Sequence, residues 1–155
     1  MAARPDEVIA APASDEDAHA LSWYAQSRAL FTGANQVRLL RGGDQLFPAM
    51  HEAIERARHR VWLATYIFHD DIAGQDMVAV LARAAQRGVR VSVVVDGFGS
   101  GPSLARISRS LRDSGVRFTV FRPLTGWRSW LQPGQLRRLH QKLCVVDAEV
   151  GFVGG

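Results

Sequence analysis

Apolar residues along the chain follow two spacings, one typical of helices and one typical of strands. In segment 45–59 they recur every three or four positions, which predicts a helix with one apolar side. Segments 75–88 and 103–115 repeat that spacing, and each ends at a glycine suited to a helix C-terminus. The residues predicted to face inward are Leu46, Phe47, Met50, Ile54, Ala57, Met77, Val80, Leu81, Ala84, Leu104, Ile107 and Leu111.

Short runs rich in β-branched and aromatic residues separate these helices. They predict buried strands over 61–68, 89–96 and 116–121, another strand over 137–146 and a returning hairpin strand over 150–155. Strands that alternate with helices imply an α/β domain, with a sheet largely covered by helices and right-handed crossovers. Ligands of such sheets usually bind at Gly-rich turns that follow the strands.

The composition is that of a globular protein, with 47% hydrophobic and 22% charged residues in a chain of 155. Residues 1–34, rich in alanine and acidic residues, are interpreted as a tail or lead-in, and residues 35–155 as the folded domain. The formal charge of +4 suits an anionic partner, either phospholipid head groups or nucleic acid. Every apolar run is shorter than the roughly 18 residues of a membrane span, so we expect any membrane contact to be peripheral.

The only cysteine and the only lysine lie two residues apart in segment 136–147, "LRRLHQKLCVVD". Cys144 excludes an internal disulfide and is expected to be a buried residue in a reducing compartment. Lys142 follows His140 by two residues, so both side chains would point to the same face of a strand. An imidazole can attack phosphorus, and an ammonium beside it can bind the phosphate oxygens. No Asp and Glu spacing of a two-metal site is evident, so a mechanism without metal or other cofactor is the simpler prediction.

Asp147 lies farther along the same segment. An extended strand would place it roughly 23 Å from His140, too far for a hydrogen bond. We therefore predict that it caps the strand or the turn that follows. Beyond that turn, Gly154 and Gly155 would allow the backbone or a ligand to approach closely and are candidate substrate-binding positions.

The segment "HQKLCVVD" matches the H-x-K-x-x-x-x-D motif of the phospholipase D superfamily, and "GFVGG" resembles the glycines that follow it there. Residues 35–155 resemble the N-terminal half of bacterial cardiolipin synthases. The resemblance implies a mixed β-sheet flanked by helices and transfer of a phosphatidyl group from one phosphatidylglycerol to another through a phosphohistidine. It implies catalytic roles for His140 as nucleophile or general acid and Lys142 as phosphate ligand, with Asp147 as third motif member. It also implies a peripheral place on the cytoplasmic side of the inner membrane.

Such enzymes use two copies of the motif, because the reaction needs a nucleophile and a separate general acid. With one lysine, residues 1–155 hold a single copy. We expect the second copy either in the same polypeptide beyond Gly155 or in a homodimer mate, and we expect this segment alone to be inactive.

The segment 122–138 mixes arginines with Trp127 and Trp130. That mixture is typical of a loop that enters a lipid head-group layer, and equally of tryptophans packed on their own domain. Three functional classes remain open at this point. They are a lipid transferase, a phosphodiesterase or nuclease of the same superfamily that acts as a dimer without added metal, and a non-catalytic homologue that binds anionic lipid. The extended resemblance favours the transferase, and nucleic acid is not the favoured partner.

Overall fold

The computed structural model describes residues 33, 35–123 and 138–154. The helices and strands described all lie in one compact unit, Leu40–Gly155. In chain order they are α1 (Gly42–Arg56), β1 (Arg60–Thr65), α2 (Ile72–Gln86), β2 (Arg90–Asp96), a 3₁₀ turn (Gly101–Ser103), α3 (Leu104–Asp113), β3 (Arg117–Phe121), β4 (Lys142–Val146) and β5 (Val150–Val153).

The five strands form one mixed sheet in the order β3-β2-β1-β4-β5. Strands β1, β2 and β3 are parallel, as strand–helix–strand connections require. Strand β4 runs antiparallel to β1, and β5 returns antiparallel to β4 as a hairpin. The predicted α/β class with a mixed sheet flanked by helices is confirmed.

The core lies between the three helices and one face of the sheet. Alternate strand residues point to that face and are almost fully buried, whereas their neighbours are more exposed. Trp62 lies on the opposite face and is 43% exposed, so the prediction of a buried strand was wrong at this position. Among the described residues, the largest fully buried aliphatic side chains are Ile54, Val61, Leu81, Val93, Val95 and Leu111.

Local hydrogen bonds explain where the elements depart from the predicted limits. Strand β1 ends at Thr65, before the predicted end at residue 68, and beyond it the N–H of Phe68 donates to the Ser100 hydroxyl, 2.9 Å away. Helix α2 begins before the predicted start because the Asp71 carboxylate caps it, accepting a hydrogen bond from the N–H of Gly74 at 2.8 Å. Phe47 was expected in the core but is 40% exposed, because its ring packs on Gly43 near the start of α1.

None of the helices in the described part of the chain is both long enough and apolar enough to span a membrane.

Candidate active site

The parallel strands β1, β2 and β3 end at the same edge of the sheet. Strand β4 runs the other way, so its first residue, Lys142, pairs with Thr65 at that edge. The carboxyl edge of parallel strands is where α/β sheets usually bind ligands. The fold thus places the lysine of the sequence motif, which is exposed, at a favourable edge.

Strand β4 begins five residues later than predicted, at Lys142. The N–H of Leu139 donates to Oδ2 of Asp96 at 2.9 Å, and the N–H of His140 donates to the carbonyl of Arg138 at 3.2 Å. Because these bonds replace strand pairing, residues 138–141 lie outside the sheet. The relative orientation of the imidazole and the ammonium is therefore set by this short segment and not by strand alternation. His140 is exposed, as Lys142 is.

The ring of Tyr66 packs against His140. The two ring centroids are 4.6 Å apart, and the ring planes are inclined by 36°. Tyr66 directly follows β1, and its carbonyl accepts a hydrogen bond from the buried hydroxyl of Ser100 at 3.2 Å. A Cβ atom at Gly99 would lie 2.4 Å from the same carbonyl oxygen, so only glycine fits there. The loop after β2, through Gly99 and Ser100, therefore fixes the position of Tyr66, and the ring of Tyr66 in turn contacts His140.

The Gly-rich segment "DGFGSG", residues 96–101, includes the last residue of β2 and the turn that follows it, the kind of turn at which α/β sheets usually bind ligands. The N–H groups of residues 97–101 all have acceptors within the protein. In order, the acceptors are the Phe121 carbonyl, Oδ1 of Asp96 twice, the Asp96 carbonyl and the Phe98 carbonyl. These N–H groups are thus already engaged, and the loop builds the site instead of cradling a phosphate.

Asp96, at the end of β2, is fully buried. Its Oδ1 accepts from the N–H groups of Phe98 at 2.8 Å and Gly99 at 3.3 Å, and its Oδ2 accepts from Leu139. Nη1 of Arg138 lies 3.9 Å from Oδ1, and that guanidinium lies over the Phe98 ring at 5.1 Å. The buried charge is accordingly hydrogen-bonded and paired, as burial in a low dielectric requires.

Sequence reasoning missed the roles of Asp96, Ser100 and Tyr66. An aspartate before glycine at a strand end is typical of a turn in which the carboxylate bonds to backbone N–H groups just ahead, a usable signal for the bond to Phe98. The bond to Leu139 spans 43 residues, and no local pattern indicates it.

Asp147 lies in the turn between β4 and β5, at the opposite edge of the sheet. Its carboxylate accepts from the N–H groups of Arg58, His59 and Arg60 at 2.8, 2.9 and 2.7 Å. The hydrogen bond from the N–H of Arg60 is the main reason that the pKa of Asp147 lies below its usual range, and the bonds from the N–H groups of Arg58 and His59 lower it further. Since Thr65 lies five positions after Arg60 along β1, about 17 Å of strand separates the two edges. The fold therefore does not bring Asp147 to His140 and Lys142.

Cationic side chains collect near the carboxyl edge. Arg122 follows β3, Arg138 precedes His140, and Lys142 begins β4. Gly154 donates its N–H to the carbonyl of Lys142 at 2.9 Å. Among the described residues, a Cβ atom on Gly154 would meet only the Lys142 side chain, at an ordinary 3.9 Å, so the expected close backbone approach is not found there.

Gly155, Trp127 and Trp130 lie outside the described residues. Within residues 33, 35–123 and 138–154, no three His, Cys, Asp or Glu side chains are grouped so that they could hold a metal ion.

A family model described as "Cardiolipin synthase, PLD-like domain" matches residues 50–155. This chain belongs to that family. The match covers the strands, the three-helix layer from Met50 onward, and the segment with His140 and Lys142. The phospholipase D resemblance inferred from "HQKLCVVD" is confirmed, and the sheet with its helices is a PLD-like domain.

Curated relatives agree with this membership. The chain is 40% identical to cardiolipin synthase B of Salmonella typhi over 124 residues, which is 78% of this chain and 29% of that protein. It is 38% identical to cardiolipin synthase A of Pseudomonas putida over 150 residues, which is 97% of this chain and 31% of that protein. The chain thus spans about 30% of the length of these relatives.

A solved structure shares the fold at low sequence identity. The archaeal chromatin protein TrmBL2 aligns with a TM-score of 0.53 and 15% identity, over 89% of this chain and 47% of that one.

Proposed function

We propose that residues 35–155 supply one half of the active site of a phosphatidyl transferase that makes cardiolipin from phosphatidylglycerol. The observation that carries the proposal is the exposed pair His140 and Lys142 at the carboxyl edge of a PLD-like sheet. The exposed ammonium of Lys142 at this edge suits the anionic phosphate group of phosphatidylglycerol.

In the first step, one motif histidine attacks the phosphorus of a phosphatidylglycerol molecule. A P–N bond forms, and the P–O bond to the terminal glycerol breaks. A second motif histidine, acting as general acid, gives its proton to the leaving alkoxide, so that free glycerol departs. The exposure of His140 suits either role, because both require an imidazole that reaches the substrate.

In the second step, a hydroxyl group of another phosphatidylglycerol attacks the phosphohistidine. The second histidine, now neutral, accepts the hydroxyl proton as a P–O bond forms and the P–N bond breaks. The products are cardiolipin and the original imidazole. Lys142 would hold the non-bridging oxygens in both steps, where the transition state carries the most negative charge.

The second histidine must come from a second motif copy. A later part of the same polypeptide is the favoured source, and a second identical chain is the alternative. In both arrangements the carboxyl edge described above faces the other copy.

The membrane part of the proposal concerns Trp127 and Trp130. We expect them to enter the head-group layer of the cytoplasmic face of the inner membrane and hold the protein there peripherally. Replacing both by alanine should weaken binding to phosphatidylglycerol vesicles with the fold intact. Unchanged vesicle binding would remove this part of the proposal.

The transferase is tested with the full-length protein and phosphatidylglycerol in mixed micelles. Cardiolipin and glycerol should appear in equal amounts, and His140→Ala should abolish both products. His59→Ala, which changes an exposed histidine at the other edge of the sheet, is the matched control. Release of phosphatidic acid alone, or cleavage of DNA without added metal, would instead support a phosphodiesterase or nuclease.

A further inference from the structure

His140 is not held by strand pairing, so something else must fix its position. Strand β4 begins two residues after it, and the segment before the strand is anchored by the bond from the N–H of Leu139 to Asp96. We propose that Asp96 is a positioning residue, which sets where the imidazole of His140 stands relative to the substrate phosphorus. The proposal rests on the transferase function proposed above.

Asp96 has the rigidity that a positioning residue needs. It is fully buried, and the N–H groups of Phe98 and Gly99 hold its Oδ1 while Oδ2 bonds to Leu139. Three fixed donors leave the carboxylate little freedom to rotate. A shift of its Oδ2 would therefore move the backbone at Leu139, and His140 is the next residue.

Arg138 strengthens this anchor through its charge. Its side chain is 13% exposed, and its Nη1 lies 3.9 Å from Oδ1 of Asp96 and makes no hydrogen bond to any of the described residues. Removing the charge of Asp96 would leave that buried guanidinium without its nearby countercharge. The segment on both sides of Leu139 thus depends on the same carboxylate.

The loop that begins at Asp96 also holds the other contact of His140. Four residues beyond Asp96, the hydroxyl of Ser100 donates to the carbonyl of Tyr66, whose ring packs on the imidazole. Backbone at Leu139 and ring at Tyr66 are therefore both fixed by one short loop. The position of the imidazole is thus set both by the backbone that precedes it and by the ring packed against it. No residue of the loop needs to touch the substrate for this.

The first test is Asp96→Asn in the full-length protein. Both carboxylate oxygens of Asp96 accept hydrogen bonds, but an asparagine amide has only one oxygen acceptor, and its other end is an N–H donor. That donor would face a backbone N–H group, either the one of Leu139 or those of Phe98 and Gly99, and would repel it. We expect kcat for cardiolipin formation to fall about 10- to 100-fold while KM changes less than about twofold, because a misplacement near 1 Å has effects of this size on the chemical step. Asp76→Asn, at an exposed site on α2, is the matched control and should leave both constants unchanged.

A second variant separates positioning from folding. A backbone ester in place of the amide N–H of residue 139 removes this donor and leaves Asp96 with its remaining partners, while the Arg138 carbonyl stays in place as a weaker acceptor for the N–H of His140. The ester variant should show the same fall in kcat, and it tests the proposal even if Asp96→Asn does not fold. Wild-type kcat in the ester variant, or in a folded Asp96→Asn, would overturn the proposal.

Hydrogen exchange of the Leu139 amide provides a readout that needs no activity. The amide should be protected in the wild type and exchange faster in Asp96→Asn, relative to unaffected amides of β2. Equal exchange in both proteins would show that Asp96 does not anchor the segment. If the wild type makes no cardiolipin yet the exchange differs as expected, the proposed function fails while the anchor stands.

Discussion

The three residues of the sequence motif lie near opposite ends of strand β1, and their surroundings differ. At the carboxyl end, Lys142 and the neighbouring His140 are exposed. At the amino end, Asp147 accepts hydrogen bonds from three consecutive backbone N–H groups. Strand β1 is six residues long, so its two ends are five positions apart.

The difference shows that membership of a motif does not define a chemical role. The Asp147 carboxylate is occupied in joining the β4–β5 turn to the start of β1, whereas His140 and Lys142 remain available to a ligand. We therefore propose that the chemistry takes place at the carboxyl end and that the amino end contributes stability. Changes at the two ends should separate these properties.

The largest effect is expected for His140→Ala in the full-length protein. Loss of the nucleophile or of the general acid should lower the rate of phosphatidyl transfer by roughly 10³-fold or more, measured as cardiolipin formed per unit time. Because His140 is exposed, the melting temperature should change little. Comparable transfer rates in His140→Ala and the wild type would refute a role in the chemistry.

A smaller loss is expected for Lys142→Met, about 10²- to 10³-fold in kcat, since a charge that stabilises the transition state is removed. Lys142→Arg should restore only part of the activity, because a planar guanidinium does not replace a compact ammonium. Arg90→Met removes an exposed cation from the amino end of β2 and serves as control. If it lowered kcat as much as Lys142→Met, net charge and not position would be responsible.

Asp147→Asn should act on stability. Disturbing the bonds to Arg58, His59 and Arg60 is expected to lower the free energy of unfolding by about 1–3 kcal/mol, measured by urea denaturation. An unchanged unfolding midpoint would show that the turn does not need this carboxylate.

The pH dependence of the free energy of unfolding provides a further test of the role of Asp147. The folded-state pKa of Asp147 is lowered, mainly by the Arg60 N–H, so its ionised form stabilises the fold. That contribution is complete above the ordinary carboxyl pKa of about 4 and is lost as pH falls through the lowered value. Wild type should thus lose more stability between pH 5 and pH 2 than Asp147→Asn, and equal losses would contradict the assignment.

The smallest effect is expected midway along β4, at Cys144. Burial raises the pKa of this thiol to about 12, and the side chain is 1% exposed. Alkylating reagents at pH 8 should therefore leave the Cys144 peptide unmodified in the folded protein and modify it after denaturation, as read by mass spectrometry. Rapid modification of the folded protein would show that β4 opens.

Sequence periodicity predicted the helical layer well because each helix has one apolar stripe. Met77, Leu81, Ile107 and Leu111 are buried as predicted. Phe47 belongs to the same kind of stripe but lies near a helix start, where an apolar ring can cover its own helix. Periodicity does not contain that information.

The sequence also indicated the site in part. Strand length alone separated Asp147 from His140, and the turn after β4 is present. The start of β4 was predicted too early, because the bond between Leu139 and Asp96 joins residues 43 positions apart. A pattern within a short segment does not reveal a hydrogen bond that forms only when the fold brings two distant segments together.

The most direct test of the central claim is kcat for phosphatidyl transfer by full-length Asp147→Asn, at a temperature where circular dichroism shows it folded. We predict a kcat within about threefold of wild type, because the carboxylate lies about 17 Å of strand from the chemistry. A fall of roughly 10³-fold in the folded variant, matching that expected for His140→Ala, would contradict the separation of chemistry and stability between the two ends of β1.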